Sequence, residues 1–363
     1  MECYHPPALH RRSPFSRMLY PLFRPLLFAL DPETAHDLVL TGLDAAAKSG
    51  IARLALPRLP PSPVEAMGLA FPNRLGVAAG LDKDAEHIDG LATLGVGFIE
   101  CGTVTPRPQR GNPKPRLFRL AEGEALINRL GFNNQGIDHF IGNVERAKFG
   151  PKHGRILGLN IGRNFDTPNA RAIDDYRACF AAVYTHASYV TVNISSPNTP
   201  GLRALHENSA LEGLLSGLKV EQARLAQKHG KYTPLVVKLS PDLAAGDLAR
   251  VARSLIAHRI DGVIATNTTV DRSAVKGMPG ADEAGGLSGR PLMEKSTAVI
   301  RVLARQLDGA LPIIGTGGIM SGADAKAKID AGATLVQIYT GLVYRGPALI
   351  AEIAKTLVQV CPA

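Results

Sequence analysis

Eight apolar runs recur along the chain with helical patterns between them, and this rhythm constrains the fold more than any other feature. The runs are "RLGVAAGL" (Arg74–Leu81), "GFIECGTV" (Gly97–Val104), "RILGLNIG" (Arg155–Gly162) and "YVTVNIS" (Tyr189–Ser195). Four more follow: "PLVVKLS" (Pro234–Ser240), "GVIATNT" (Gly262–Thr268), "PIIGTGG" (Pro312–Gly318) and "LVQIYT" (Leu335–Thr340). Helical patterns such as "DAEHIDGLATLG", "YRACFAAVYTHA", "LEGLLSGLKVEQARLAQKHG", "LAAGDLARVARSLIAHR" and "SGADAKAKIDAGA" separate most of them. Strands alternating with helices imply a parallel sheet. Eight of them in about 250 residues suit closure into a barrel. An open doubly wound sheet would place GxGxxG at the first strand–helix turn, and that is missing. The expected fold class is therefore α/β, a (β/α)8 TIM barrel. The stretch from Thr105 to about Gly131 has no clear helix and reads as an excursion above the barrel mouth.

Ahead of the barrel lies a different kind of sequence. "DPETAHDLVLTGLDAAAKSG" (Asp31–Gly50) reads as a helix, with Asp31 as N-cap, Pro32 at its first position and Gly50 at its end. "LPRLPPSPVEAMG" (Leu56–Gly68) is proline-rich and reads as a linker. The expected division is a small helical piece over residues 1–60 and a barrel over residues 61–363. "SRMLYPLFRPLLFAL" (Ser16–Leu30) is strongly apolar, but a transmembrane helix needs about 20 apolar residues. Pro21, Arg24 and Pro25 interrupt it, and no small-residue cleavage site marks a signal peptide. Arg11–Arg12 is too little for a twin-arginine signal. Two readings stand: a segment lying on a membrane surface, or a helix packed on the main domain.

Composition excludes several classes. The four cysteines (Cys3, Cys101, Cys179, Cys361) form no CxxC pair, which argues against a zinc site or disulfide framework and fits a reducing compartment. Net charge is +9, but the basic residues are dispersed, with no aromatic-interleaved run of the kind that binds nucleic acid. The charge serves solubility or attraction to an anionic membrane surface. His87, His139, His153, His206 and His258 read as surface or structural.

A barrel of this kind carries its active site at the C-terminal strand ends. Those ends read Ala79-Gly80-Leu81-Asp82-Lys83, Gly102-Thr103, Asn160, Asn193 with Ser195, Ser196 and Asn198, Lys238, Thr266-Asn267-Thr268, Gly317-Gly318 and Tyr339-Thr340. A single Asn at a strand end is an ordinary turn former. Polar or glycine endings on all eight strands ask instead for a large, polar, planar ligand. "GTGGIMSGADA" (Gly315–Ala325) and "YTGLVYRGP" (Tyr339–Pro347) each end a strand and open a helix, the arrangement that holds a phosphate on backbone N–H groups. "GGLSGRP" (Gly285–Pro291) can add donors. Lys83 and Lys238 enter the site at strand ends, where each can neutralise an anion or form a Schiff base. Of Ser195 and Ser196, one should face the site and one away, and alternation does not say which.

Several stretches together resemble the dihydroorotate dehydrogenases, flavin enzymes of pyrimidine synthesis: "AAGLDKD" (Ala78–Asp84), "GTVTPRPQ.GNPKPRLFR" (Gly102–Arg119), "NRLGFNN.G" (Asn128–Gly136), "NISSPNTPGLR" (Asn193–Arg203) and "GGLSGRPL" (Gly285–Leu292). The likeness runs from about Asp31 to the C-terminal region. It is nearest to the quinone-dependent, membrane-associated class, on the helical N-terminal extension and on a Ser rather than a Cys in SSPN, here Ser196. The resemblance implies oxidation of (S)-dihydroorotate to orotate, with FMN as hydride acceptor and a membrane quinone as final acceptor, in de novo pyrimidine (UMP) biosynthesis.

It also implies site residues. FMN would contact Ala79, Gly80, Leu81, Asp82, Lys83, Thr103, Asn160, Asn193, Lys238 and Thr266, with its phosphate near Gly289, Gly318, Tyr339 and Thr340. Dihydroorotate would be held by Lys83, Asn128, Arg129, Leu130, Gly131, Phe132, Asn193, Asn198, Asn267 and Thr268. Quinone would bind between the N-terminal helices and the flavin edge, which points to His36, Arg119 and Tyr339. Ser196 would be the catalytic base, with a proton path through Thr199 lidded by Phe132. No metal and no nucleic acid is implied, and the protein would sit peripherally on the cytoplasmic face of the cell membrane, without a transmembrane helix. Three rivals stand beside it: a soluble family member, which would carry Cys at 196 and lack the N-terminal helices; a flavin-free phosphate-binding lyase or isomerase using Lys238; and a membrane-bound scaffold with a dead barrel, which would require the loss of site residues, none of which is missing.

Overall fold

In the computed structural model, which describes residues 15–51, 59–206 and 208–358, the chain opens on two helices, α1 (Phe15–Ala29) and α2 (Pro32–Ser49). Arg11, Arg12, Cys3 and Cys361 lie outside the described residues. The α2 signals act as expected. The Asp31 carboxylate accepts the N–H groups of Glu33 and Thr34 at 3.0 Å each, and Gly50 ends the helix in the left-handed region at φ 76°. Pro21 and Pro25 interrupt the apolar run without ending α1, which continues through both. The helix is held from outside: the Tyr20 hydroxyl donates to the Val343 carbonyl, and Arg24 donates to that of Tyr344 at 3.1 Å. Among the described residues no helix is long and apolar enough to cross a membrane.

The proline-rich linker is shorter than its composition suggests. Residues 52–58 lie outside the described ones, and from Val64 the chain is already a hairpin of β1 (Val64–Ala66) and β2 (Leu69–Phe71). Met67 and Gly68 both take positive φ, 55° and 70°, as a tight two-residue hairpin turn requires. The hairpin sends Ala66 and Phe71 up against Phe98, Tyr189, Val236, Ile264, Ile314 and Leu335, which closes the barrel floor. The Phe71 and Phe98 rings meet edge to face at 5.2 Å.

The remaining elements are β3 (Leu75–Val77), α3 (Ile88–Ala92), β4 (Phe98–Val104), β5 (Leu117–Leu120), β6 (Ala125–Asn128), α4 (Ile137–Arg146), β7 (Ile156–Ile161), α5 (Ala172–Val183), β8 (Tyr189–Asn193) and α6 (Asn208–His229). They continue with β9 (Leu235–Leu239), α7 (Ala245–Ala257), β10 (Gly262–Ala265), β11 (Gly286–Gly289), α8 (Met293–Leu307), β12 (Ile313–Thr316), α9 (Gly322–Asp330), β13 (Leu335–Ile338), α10 (Thr340–Arg345) and α11 (Pro347–Val358). Eight parallel strands close a barrel in the order β10-β12-β13-β3-β4-β7-β8-β9. This is chain order, with each strand beside its predecessor, and it matches the eight apolar runs. Each strand is shorter than its run, because the polar strand ends turn into loops at the mouth. Two helices absent from the sequence reading, α4 and α8, complete the alternation. The expected excursion is largely a sheet: β5, β6 and β11 pair antiparallel above the mouth.

Candidate active site

A cleft occupies the barrel mouth. It brings together Ala79, Gly80 and Lys83 after β3, Thr103 on β4, Asn193, Ser196 and Asn198 at the end of β8, and Lys238 on β9. Thr266, Asn267 and Thr268 follow β10, Gly318 follows β12, and Tyr339 and Thr340 follow β13. The upper sheet and the loop after β6 add Asn128, Leu130, Gly131, Phe132 and Gly289. Four residues expected here stand behind the cleft. Leu81 lines a neighbouring cavity instead. Asp82 is a loop staple whose carboxylate accepts the N–H groups of Glu86 and His87 at 2.9 Å each. Arg129 is turned away to pair with Glu283 at 2.6 Å and to lie over the Phe118 ring. Asn160 is wholly buried one layer below.

That lower layer orients the upper one. The Asn193 amide donates to Thr103 Oγ1 (2.9 Å), which donates to Asn160 Oδ1 (2.6 Å). The Asn160 amide in turn donates to Glu100 (2.8 Å). Glu100 also accepts from the Tyr189 hydroxyl (3.0 Å) and the Gln337 amide (2.9 Å). A carboxylate this deep needs such bonds to be tolerated. Glu100 and Gln337 were missed in the sequence. Their signal was a lone polar residue inside an otherwise apolar strand, "GFIECGTV" and "LVQIYT". Gln337 lines the cleft, and its Oε1 is buried with no hydrogen-bond partner.

The serine pair separates cleanly. Ser195 is closed off: its hydroxyl donates to Asn193 Oδ1 (3.1 Å) and accepts from the Asn267 amide (2.9 Å). Ser196 lines the cleft, and among the described residues only the Asn198 N–H (3.2 Å) bonds to its Oγ. The Asn198 amide donates to Asn128 Oδ1 at 3.1 Å and so couples this loop to the upper sheet. Thr199 Oγ1 is buried without a partner. Arg203, three contacts strong, ties the loop to its neighbours through Ser195 O (3.2 Å), Thr268 O (3.0 Å) and the Asp242 carboxylate (2.8 Å).

Two ammonium groups enter the cleft with no ion-pair partner among the described residues. Burial pushes the pKa of Lys238 down, opposed by the Glu100 charge. Burial likewise lowers that of Lys83, opposed first by Glu33. Negative charge on a bound ligand would raise both. The far end of the cleft is lined by backbone. A Cβ on Gly318 would sit 2.3 Å from Met293 N, and one on Gly289 would sit 2.3 Å from Glu124 O.

A second cavity, mostly apolar, opens between the N-terminal helices and the barrel. Leu27, Phe28, Leu40, Leu43, Leu81 and Leu126 line it with His36, Arg119 and Tyr339. Arg119 caps α1 by donating to the carbonyls of Leu30 (2.8 Å), Phe28 (3.1 Å) and Leu27 (3.3 Å). Burial, reinforced by the charges of Lys83 and His87, pushes His36 down to about 3, so it is neutral at ordinary pH. Tyr339 lines both cavities, donates to Gly80 O at 3.3 Å and is pushed up to about 12 by burial. Among the described residues no cluster of side chains could hold a metal ion.

Residues 63–361 match the family model described as dihydroorotate dehydrogenase. A protein named dihydroorotate dehydrogenase (quinone) from Thiobacillus denitrificans is 58% identical over 342 residues, 94% of this chain and 100% of the relative. Its namesake from Cupriavidus pinatubonensis is 57% identical over 339 residues, 93% and 98% of the two chains. A crystal structure of DHODH in complex with ferulenol from Eimeria tenella superposes with a TM-score of 0.81 at 38% identity, covering 90% of each chain. With the barrel, its mouth and the two adjoining cavities, these matches show that the chain belongs to the dihydroorotate dehydrogenase family, in its quinone-dependent class.

Proposed function

We propose that this chain oxidises dihydroorotate to orotate with FMN as hydride acceptor and a membrane quinone as final acceptor, in pyrimidine synthesis. The observation that carries the reading is the shared wall. Tyr339 borders a polar cleft with a candidate base on one side and an apolar chamber on the other. A reductive half-reaction with a polar substrate and an oxidative one with an apolar quinone need such an arrangement.

The cleft fits FMN on its donor set. Two uncompensated ammonium groups and the unpartnered Gln337 Oε1 suit a flavin ring carrying both donors and acceptors. The backbone-lined end at Gly289, Gly318, Tyr339 and Thr340 suits its phosphate. FMN, when bound, supplies the hydride acceptor that no side chain provides. Ala79, Gly80, Lys83, Thr103, Asn193, Lys238 and Thr266 would border its ring, with Leu81, Asp82 and Asn160 supporting from behind.

The protein's own residues do the rest. Asn128, Asn193, Asn198, Asn267 and Thr268 hold the substrate's amide and carboxylate groups, and Leu130, Gly131 and Phe132 close over it, with Arg129 fixing their loop. Ser196 removes the C5 proton, which leaves by way of the Thr199 hydroxyl. Lys83 lowers the energy of the negative charge that develops. Neutral His36, with Arg119 and Tyr339, would receive the quinone.

Residues 1–60 form the quinone-access extension and residues 61–363 the FMN barrel. Leu22 (69% exposed), Phe23 (55%) and Leu26 (68%) turn an apolar face of α1 outward, and Leu38 of α2 is exposed as well. Such a face supports peripheral seating on a membrane, which the proposal puts on the cytoplasmic side of the cell membrane. The test is anaerobic. Dihydroorotate should bleach a yellow protein, and a quinone should restore the colour. A purified protein that is colourless and takes up no FMN would overturn the proposal.

A further inference from the structure

Lys328 lies on α9 with its side chain wholly buried, which lysines rarely are without a carboxylate partner. Its Nζ meets three oxygens: the Met293 carbonyl (3.1 Å), the Thr297 hydroxyl (2.8 Å) and the Ser296 hydroxyl. All three belong to the first five residues of α8. The carbonyl can only accept. The Thr297 hydroxyl already donates to that same carbonyl at 2.7 Å. The Ser296 hydroxyl has its one hydrogen claimed by the carbonyls of Leu292 (2.8 Å) and Gly317 (2.9 Å). Lys328 must therefore be the donor at each of the three contacts. An ammonium has three N–H groups and a neutral amine only two. The pocket is shaped for the charged form.

The surroundings oppose that charge. Burial pushes Lys328 down to about 7. The first turn of α8 is also the positive end of a helix dipole, unfavourable to a cation. Asp324 on α9 favours the charge, whereas Lys326 and Asp330 pair with each other at the surface. On α8, Glu294, Arg301 and Arg305 are exposed, and Lys295 is drawn off to Asp242 and Asp271. On α11, Lys355 is exposed, and Glu352 serves the Gly322 N–H and Arg345. Strands β12 and β13 bring no ionisable side chain. A single carboxylate thus stands against burial and a helix N-terminus. An anion at that N-terminus would reverse the balance, and the backbone-lined end of the cleft is there. Gly318 packs on Met293, Ser296 bonds to Gly317, and both glycines line the cleft.

We propose that Lys328 is the buried counter-charge for the phosphate of FMN, taking up a proton as the phosphate seats and acting through Ser296 and the Gly317–Gly318 turn without touching it. This rests on the reading of the cleft as an FMN site. Lys328 is then a positioning residue, and its signature is proton uptake on binding.

The experiment is calorimetry of the full-length apoprotein with FMN in buffers of different ionisation enthalpy, repeated with riboflavin, which lacks the phosphate. Lys328 is held down to about 7 in the apoprotein, so at about pH 8 FMN binding should take up close to one proton more than riboflavin binding. The FMN phosphate, with a second pKa of about 6, is already dianionic there and adds no uptake. FMN affinity should fall up to about tenfold per pH unit above pH 8. Riboflavin should bind without that uptake, since Lys83 and Lys238, at the ring, would respond to both ligands alike. Lys328→Met should abolish the excess uptake of FMN over riboflavin and the part of the pH slope that goes with it. FMN binding with no more uptake than riboflavin, or with an excess that survives in Lys328→Met, overturns the role of Lys328 and leaves the FMN site standing. Failure of FMN to bind removes both. Should the Met variant not fold, equal uptake for FMN and riboflavin in the wild type is the overturning result.

Discussion

The two serines after β8 have the same chemistry and different surroundings. Ser195 spends its hydroxyl on the Asn193 and Asn267 amides, while Ser196 keeps most of its bonding capacity for whatever enters the cleft. The sequence could not separate them because β8 ends at Asn193, so the period-two rule stops before the pair begins. If Ser196 is the base, Ser196→Ala should slow reduction of bound flavin by dihydroorotate about 10²-fold or more, read by stopped flow. Ser195→Ala should lose about 1 kcal/mol of stability and far less rate. Equal rate losses in the two would remove the special role of Ser196. His206, away from the cleft, governs a different property. Burial holds it down at about 4, its Nδ1–H donates to Arg203 O (2.9 Å), and its Nε2 is buried without a partner. Unfolded, it titrates near 6.5. Between those values the unfolded chain binds more protons, so stability is fully present above about 6.5 and is lost as pH falls towards 4. The loss at pH 4 is on the order of 3 kcal/mol. His206→Gln should flatten that acid limb in a plot of Tm against pH, and an unchanged limb would assign it to other groups.

At the level of elements, what was legible followed from burial. A barrel strand is covered on both faces, so it appears as a continuous apolar run, and all eight did. The upper sheet was not legible, since β6 finds β11 across 158 residues, and local periodicity carries no trace of so distant a partner. The floor hairpin hid among prolines for a different reason: its strands are three residues each, too short for a pattern. Helix α4 is brief and shows only Phe140 and Val144 as a buried apolar stripe, whereas α8 buries Val299, Ile300, Leu303 and Leu307 at helical spacing that was present to be read. The strand ends disclosed most cleft residues, because polar groups closing apolar strands have few structural explanations. They did not disclose Glu100 or Gln337, which lie mid-strand and support the cleft from below. The close approach of two elements gives the element-scale prediction. Gly318 sits at φ 77° with Met293 N where its Cβ would be, so Gly318→Ala must push the β12 loop away from the first turn of α8. The expected outcome is a protein purified with less flavin, read as a lower ratio of visible to ultraviolet absorbance. Full flavin retention would mean that the cleft end does not depend on this contact.

For the whole molecule, the arrangement that matters is two chambers of opposite polarity on either side of Tyr339, with the exposed apolar faces of α1 and α2 outside the second. Directional contacts join the N-terminal helices to the barrel: Tyr20 to Val343, Arg24 to Tyr344, Arg119 to the end of α1, Arg116 to the Glu33 carboxylate at 2.9 Å and His87 to Asp44 at 2.7 Å. The barrel strands make no use of the N-terminal helices for closure. Removing residues 1–60 should therefore impair quinone-driven recovery of colour more than bleaching by dihydroorotate. Equal impairment would make the extension a structural support only. Membrane seating can be tested without truncation. Replacing Leu22, Phe23 and Leu26 together by Ser strips the outward face of α1 while leaving Tyr20 and Arg24 to hold the helix. Each exposed leucine or phenylalanine contributes about 1.5–3 kcal/mol when it leaves water, so the triple variant should lose several. The net charge of +9 adds attraction to anionic lipid that salt screens within about 10 Å at 0.1 M. Flotation with anionic phospholipid vesicles separates the two terms. High salt should weaken the wild type only in part, because apolar burial survives screening. The triple variant should float only at low salt. If the variant floats as well as the wild type at high salt, α1 is not the surface that meets the lipid. Turnover with a short, water-soluble quinone should be unchanged by the substitutions, since none of the three side chains lines the chamber beside Tyr339.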